Sequence, residues 1–99
     1  MVRLGVVVRL HAKPGKEAEV AELLGCGEPM AQAERFMPAW FAFRGQHGNF
    51  YIVDVFEDET GREWHLSGSV ARSVLSRPDL FDEHHIEKVD VLAGKLPGH

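Results

Sequence analysis

The chain has 99 residues, of which 44% are hydrophobic and 26% charged, and its formal net charge is −4. This length permits one domain, residues 1–99, with a modest core, and the composition is that of a folded protein rather than a disordered one. The negative charge, together with the lack of any run of Lys and Arg, argues against a nucleic-acid partner.

The cysteine content and the hydropathy of the chain exclude further classes of protein. Cys26 is the only cysteine, so an intramolecular disulfide and a Cys-rich zinc site are both excluded. A small buried residue is the commoner case for such a cysteine, and a redox-sensitive thiol is the alternative. No apolar stretch approaches the roughly 20 residues of a membrane helix. We therefore expect a cytoplasmic protein without a membrane partner.

The first half of the chain predicts a strand, a helix and a second strand. Residues 4–10 are almost continuously apolar, as is typical of a central strand. From Lys16 the apolar residues recur at the spacing of an amphipathic helix, until glycines and a proline at residues 25–29 interrupt it. Residues 38–44 form the second predicted strand.

The middle of the chain predicts a strand that runs directly into a helix. Residues 50–56 are aromatic or β-branched except for Asp54, as in a strand that is covered on both faces. The loop at residues 45–49 predicts an antiparallel hairpin with the preceding strand. Asp58 or Thr60 can cap the helix that follows.

The last third predicts the rest of this helix and a closing strand. The helix continues past a bend at Gly68 to about Ser76. Residues 80–85 are interpreted as a short connection, and residues 86–93 as the last strand. The element order is that of an α+β, ferredoxin-like βαββαβ fold, an antiparallel sheet with both helices on one face.

Both faces of this sheet are apolar. Along residues 50–56 hydrophobic side chains project in both directions, and Trp40 opposes Phe41 and Phe43 on the neighbouring strand. Two helices cover only one face, and the other would expose a larger apolar patch than a soluble monomer usually tolerates. The sequence therefore predicts a homodimer that is formed through the sheet face.

His65 is the first candidate for chemistry, because an imidazole titrates near neutral pH and can take a proton from a phenol. At 100° per residue, however, Trp64 shares the apolar side of the helix with Val74, whereas His65 falls on the polar side with Arg62 unless Gly68 resets the helix. Two interpretations stay open, a base in a pocket and a solvated or dimer-contacting histidine.

Asp54 is the second candidate. A carboxylate among aromatic and aliphatic neighbours is desolvated, and such carboxylates in clefts are candidates for functional sites. The alternative is a structural ion pair with Arg9 or Arg44 on a neighbouring strand.

Several aromatic side chains are candidates for stacking on a planar ligand, and the alternative for each is the core or an interface. They are Trp40, Phe41, Phe43, Phe56 and Trp64. His84 and His85 are adjacent and point in different directions in any regular structure, so we expect no metal site there.

Three stretches carry a resemblance to a known family. They are residues 6–16, the strand end Phe56-Glu57-Asp58-Glu59 with the following Trp64-His65-Leu66, and residues 87–93. Together they resemble the antibiotic biosynthesis monooxygenase family of the dimeric α+β barrel superfamily. The resemblance covers nearly the whole chain, although Phe56 stands where many members have Trp.

The resemblance implies an activity. Similar members oxidise hydroxylated aromatic compounds and quinols with molecular oxygen and without flavin, haem or metal. By this resemblance the base is His65 or Asp54, and Trp40 and Trp64 stack on the ring of a small aromatic substrate. From their aromatic character we also assign Phe41 and Phe56 to substrate binding. The ligands of the haem-degrading branch have no counterpart around residues 73–77, so no cofactor is expected.

Two other functions stay open because proteins of this superfamily do many things. One is a non-catalytic homodimer that binds a small apolar ligand. The other is an isomerase or decarboxylase that acts on a similar aromatic substrate without oxygen.

Overall fold

A computed structural model describes residues 2–35 and 37–96 of the chain. The elements follow the predicted order, except that each predicted helix is divided into two short ones. They are β1 (Leu4–Ala12), α1 (Glu17–Gly25), α2 (Gly27–Ala33), β2 (Ala39–Arg44), β3 (Asn49–Phe56), α3 (Glu59–Leu66), α4 (Ser69–Leu75) and β4 (Phe81–Asp90). The predicted α+β, ferredoxin-like fold is confirmed.

The strands form one antiparallel sheet in the order β2-β3-β1-β4. β1 lies at the centre, where Leu4 pairs with Phe56 of β3 and with Asp90 of β4. β2 and β3 form the predicted hairpin. Its turn places His47 at φ 58° and Gly48 at φ 80°, and this left-handed backbone favours glycine.

The core lies between the sheet and the helices. In β3, buried residues alternate with half-buried ones, so Phe50, Ile52, Asp54 and Phe56 all face the helices. The buried hydrophobic residues form two clusters. The first contains Leu10, Ala12, Val20, Leu24, Phe50, Ile52, Val74 and Leu80, and the second contains Val6, Ala31, Met37 and Phe56.

The predicted orientation of the helix after β3 is wrong. Trp64 is 65% exposed, whereas His65 is only 5% exposed and Arg62 7%. The helix ends at Ser67 and a new one begins after Gly68, so a single helical phase drawn through both misplaces the residues of α3. Arg62 tolerates burial because it donates to the carbonyl oxygens of Gly5 (3.3 Å) and Val89 (3.4 Å) and pairs with Glu59.

Two further expectations differ from the structure. The last strand begins at Phe81 rather than residue 86, and it ends at Asp90. It is an edge strand with mostly exposed side chains, so residues 82–85 carry no apolar signal and pairing with β1 decides their conformation. Cys26 is exposed rather than buried, because it lies between α1 and α2.

Candidate active site

Three ionisable side chains from three parts of the chain meet inside the protein. His65 of α3 places Nε2 3.0 Å from Oδ2 of Asp54 in β3. On the other side of the ring, Nδ1 lies 3.0 Å from Oε2 and 3.2 Å from Oε1 of Glu34, directly after α2. The imidazole therefore bridges two carboxylates.

Local structure explains why these residues converge. The alternation of β3 turns Asp54 toward the helices, where its register partners are Val6 of β1 and Trp40 of β2. Asp58 caps α3 by accepting a hydrogen bond of 2.9 Å from Gly61 N, one of the two predicted caps. Because α3 starts so soon after β3 ends, His65 lies back over the strand, with its ring 5.4 Å from that of Phe56.

The electrostatics favour a charged ring. The Asp54 side chain is 0% exposed, and those of His65 and Glu34 are 6% and 19% exposed. Burial lowers the pKa of His65, but contact with Asp54 and its charge, followed by those of Glu34, outweigh this effect, so the pKa of His65 is raised above its ordinary 6.5. The imidazolium can direct one N–H to each carboxylate.

Polar atoms around Asp54 are left without well-aligned hydrogen-bond partners. Among the described residues, these buried atoms are both carboxylate oxygens of Asp54 and Nε1 of Trp40. The contact between Asp54 and His65 is thus a close charge pair rather than a linear hydrogen bond.

His65 separates two spaces in the protein. On one side is an apolar cavity of about 40 Å³ between the sheet and α4, and its lining includes Val6, Ile52 and Val74. On the other side is an open groove of about 360 Å³ that Glu34 and Trp64 help to line. The cavity has room for water-sized molecules and is smaller than an aromatic ring.

The structure brings together some of the candidate residues and separates others. Trp40 and Phe56 lie on the same sheet face as Asp54. Phe41 is on the opposite face, where its ring stacks on that of Phe43 at 5.8 Å. Trp64 lies outside the core, at the groove.

The predicted arginine partners of Asp54 are elsewhere. Arg9 pairs with Glu83 at 3.3 Å, and the guanidinium of Arg44 lies 5.6 Å from the centre of the Phe50 ring. The partner is instead His65. Sequence reasoning also missed Glu34, because an isolated Glu after a short helix has the pattern of a solvated side chain and nothing in the sequence links it to α3.

Two searches of the described residues gave negative results. Across residues 2–35 and 37–96, no group of three or more His, Cys, Asp or Glu side chains is arranged to hold a metal ion. Within the same ranges, no helix has the length and apolar character needed to cross a membrane.

No family model matches the sequence, and none of the curated proteins matches it. Among solved structures, the protein of unknown function NE2512 from Nitrosomonas europaea is 42% identical, with a TM-score of 0.96, and the match covers 100% of this chain and 98% of that one. An antibiotic biosynthesis monooxygenase is 18% identical, with a TM-score of 0.77 and coverage of 91% and 99%. A proposed antibiotic biosynthesis monooxygenase from Chloroflexus aurantiacus is 19% identical, with a TM-score of 0.71 and coverage of 97% and 99%.

Proposed function

The chain belongs to the family of NE2512 and has the fold of antibiotic biosynthesis monooxygenases, and from this premise we propose that it is a cofactor-independent monooxygenase. The substrate is a hydroxylated aromatic or quinol-type small molecule, and the oxidant is O2. The observation that supports this proposal most strongly is the fully buried Asp54 carboxylate, which lies 3.0 Å from a histidine that lines an apolar cavity.

Asp54 rather than His65 is the base in this proposal. The raised pKa of His65 favours the imidazolium, in which both nitrogens carry protons and neither can accept another. A carboxylate has two acceptor oxygens, and only Oδ2 of Asp54 contacts His65 in the ion pair. A substrate hydroxyl donates to Asp54 and transfers its proton there, while the charge of His65 keeps the carboxylate ionised in an apolar interior.

The oxidation itself needs no further protein group. The deprotonated ring transfers one electron to O2, and recombination at a ring carbon gives a peroxide. Loss of water from this peroxide leaves a carbonyl, so one oxygen atom enters the product and the other leaves as water. All four electrons that reduce O2 come from the substrate, two when the peroxide forms and two when it loses water, and for this reason no flavin, haem or metal is required. The apolar lining of the cavity keeps bulk water from the intermediates.

Substrate entry requires the cavity to widen. A ring does not fit in about 40 Å³, and the wall opposite the sheet is α4, a helix of seven residues. α4 begins directly after Gly68, which separates it from α3. Asp54, Trp40 and Phe56 share one sheet face but do not line the cavity in its present shape. We expect α4 to move away from the sheet when a substrate binds, so that the ring reaches these three side chains.

The outer face of the sheet supports a homodimer. Phe41 and Phe43 are 55% and 47% exposed there, next to Tyr51 and Val53 of β3. A second copy that packs sheet against sheet would bury these side chains. The cytoplasmic location remains part of the proposal, on the evidence of the single cysteine.

One observation favours a non-catalytic ligand-binding dimer instead. Both nitrogens of His65 already contact carboxylates, as they would in a purely structural network. This alternative predicts that ligand affinity survives the loss of Asp54 and that no turnover occurs. An isomerase or decarboxylase would need the base but would continue to act without oxygen.

The test is oxygen uptake by the purified protein with a panel of hydroquinones, naphthols and anthrones. Asp54→Asn should lower kcat by about 10²-fold or more, which is the usual contribution of a general base. Glu63→Gln is the matched control, because Glu63 is an exposed carboxylate on α3 that pairs with Lys88. Turnover that is equal in Asp54→Asn and the wild type would eliminate Asp54 as the base, and turnover under anaerobic conditions would replace the monooxygenase by an isomerase or decarboxylase.

A further inference from the structure

We infer that Glu34 is a positioning residue of this site, which fixes the ring of His65 and thereby keeps Asp54 ionised as the base. The catalytic part of this inference rests on the proposed function. The structural part, the control of the His65 ring by Glu34, does not.

Glu34 contacts the His65 ring on its Nδ1 side. Both of its carboxylate oxygens lie within 3.2 Å of Nδ1, so Glu34 accepts the N–H at that position. Nε2 is then directed at Asp54, 3.0 Å away. Without Glu34, nothing described on the Nδ1 side would select this orientation of the ring over its flipped alternative.

Gly68 leaves room for the Glu34 carboxylate. A Cβ atom on Gly68 would lie 3.1 Å from Oε1 of Glu34, and 3.1 and 3.2 Å from the carbonyl oxygens of Trp64 and His65. The carboxylate therefore occupies space that any larger residue would fill. The end of α2, the end of α3 and the start of α4 all converge on this contact.

The negative charge of Glu34 affects whether the His65 ring is charged or neutral. A charged His65 ring places its charge 3.0 Å from Asp54, whereas a neutral ring leaves the buried carboxylate without a neighbouring positive charge. A second carboxylate at Nδ1 stabilises the charged ring. The charged ring in turn keeps Asp54 ionised, and an ionised Asp54 can accept a proton from a substrate.

The other charged groups near His65 include Arg35, which lines the groove together with Glu34 and His65. Asp54 approaches from β3 and Glu34 from the segment after α2. On its own helix, Arg62 is paired with Glu59. His84 of β4 lines the same cavity as His65.

Glu34 is also outside the cavity in which the reaction is proposed to occur. It lines the groove on the far side of the ring, whereas the cavity lining includes His65 but not Glu34. A loss of Glu34 should therefore change kcat and leave KM almost unchanged, because no substrate contact is removed.

The first experiment needs no substrate. The titration of His65 is followed by NMR of the ring nitrogens in the wild type, Glu34→Gln and the control Glu63→Gln. In Glu34→Gln the pKa of His65 should fall relative to the wild type, and the neutral ring should appear at a lower pH. Glu63→Gln should titrate like the wild type. An unchanged His65 titration in Glu34→Gln would overturn the inference.

Two further variants distinguish positioning from a general loss of structure. Gly68→Ala leaves Glu34 chemically intact but displaces it, and should also lower the pKa of His65. Glu34→Asp keeps the charge on a shorter side chain and should restore part of the wild-type titration. A pKa of His65 that is as high in Glu34→Gln as in Glu34→Asp and the wild type would show that charge at this position has no role and would contradict the inference.

The kinetic arm uses the substrate that gives oxygen uptake in the wild type. Glu34→Gln should lower kcat by about 10-fold or more with KM within about twofold, and Glu34→Asp should recover part of kcat. A Glu34→Gln protein with wild-type kcat would refute the catalytic consequence. If the wild type takes up no oxygen with any compound, the proposed function fails, while the NMR result still decides whether Glu34 controls the ring.

Discussion

The variant Asp54→Asn gives the most direct test of the charge network in the absence of any substrate. The substitution keeps the size of the side chain and removes one of the two carboxylates that face a buried imidazolium. Breaking a buried pair typically costs about 3–5 kcal/mol when it leaves an uncompensated charge. Here Glu34 still faces the ring, so we expect the loss of one charged contact, about 1.5–3 kcal/mol.

The sign of this effect should depend on pH. The pKa of His65 is raised in the folded protein, so its contribution to stability is fully present below the unfolded value of 6.5 and is lost as the pH rises through the folded value. Above the folded value, the wild type buries Asp54 and Glu34 beside a neutral ring. Asp54→Asn then removes a buried charge, and the variant should become as stable as the wild type or more stable.

The assay is urea unfolding followed by tryptophan fluorescence, at fixed protein concentration and from about pH 5.5 to about pH 9. At the acidic end, a loss of about 1.5–3 kcal/mol corresponds to a Tm lower by roughly 6–24 °C for a domain of this size. Glu63→Gln is the control, because Lys88 holds the pKa of Glu63 below its ordinary value and its ionisation is complete throughout this range. A stability difference for Asp54→Asn that is constant with pH, or that grows as the pH rises, would refute the assignment of the charged pair.

Two other predictions concern the orientation of α3 and the outer face of the sheet. Trp64→Ala should change the free energy of unfolding by less than about 0.5 kcal/mol, whereas Phe56→Ala should cost about 3–5 kcal/mol, and equal losses in denaturant unfolding would show that Trp64 is buried after all. Phe41→Lys should convert a homodimer to a monomer in sedimentation velocity at micromolar concentration, whereas Leu92→Lys, at a residue that is 97% exposed outside the strands, should not. A wild type that sediments as a monomer at every concentration would contradict the proposed dimer.

The fold could be predicted from the sequence because its signals are local. Continuous apolar runs mark β1 and β3, and an acidic cap marks the start of α3. β4 is the exception. As an exposed edge strand it buries almost nothing, so its register comes from hydrogen bonds to β1, which no local pattern reports.

In the candidate site, too, one part could be predicted from the sequence and another part could not. The sequence by itself identified Asp54 as a charge inside an apolar strand, since a strand period of two residues assigns it to the covered face. Whether His65 faces the core, and which group compensates Asp54, was decided only by the tertiary structure. The break after α3 resets the helical phase, and Glu34 comes from a segment that is distant in sequence. A buried charge is stabilised by whichever partner the fold brings within about 3 Å, and that partner need not be near it in the chain.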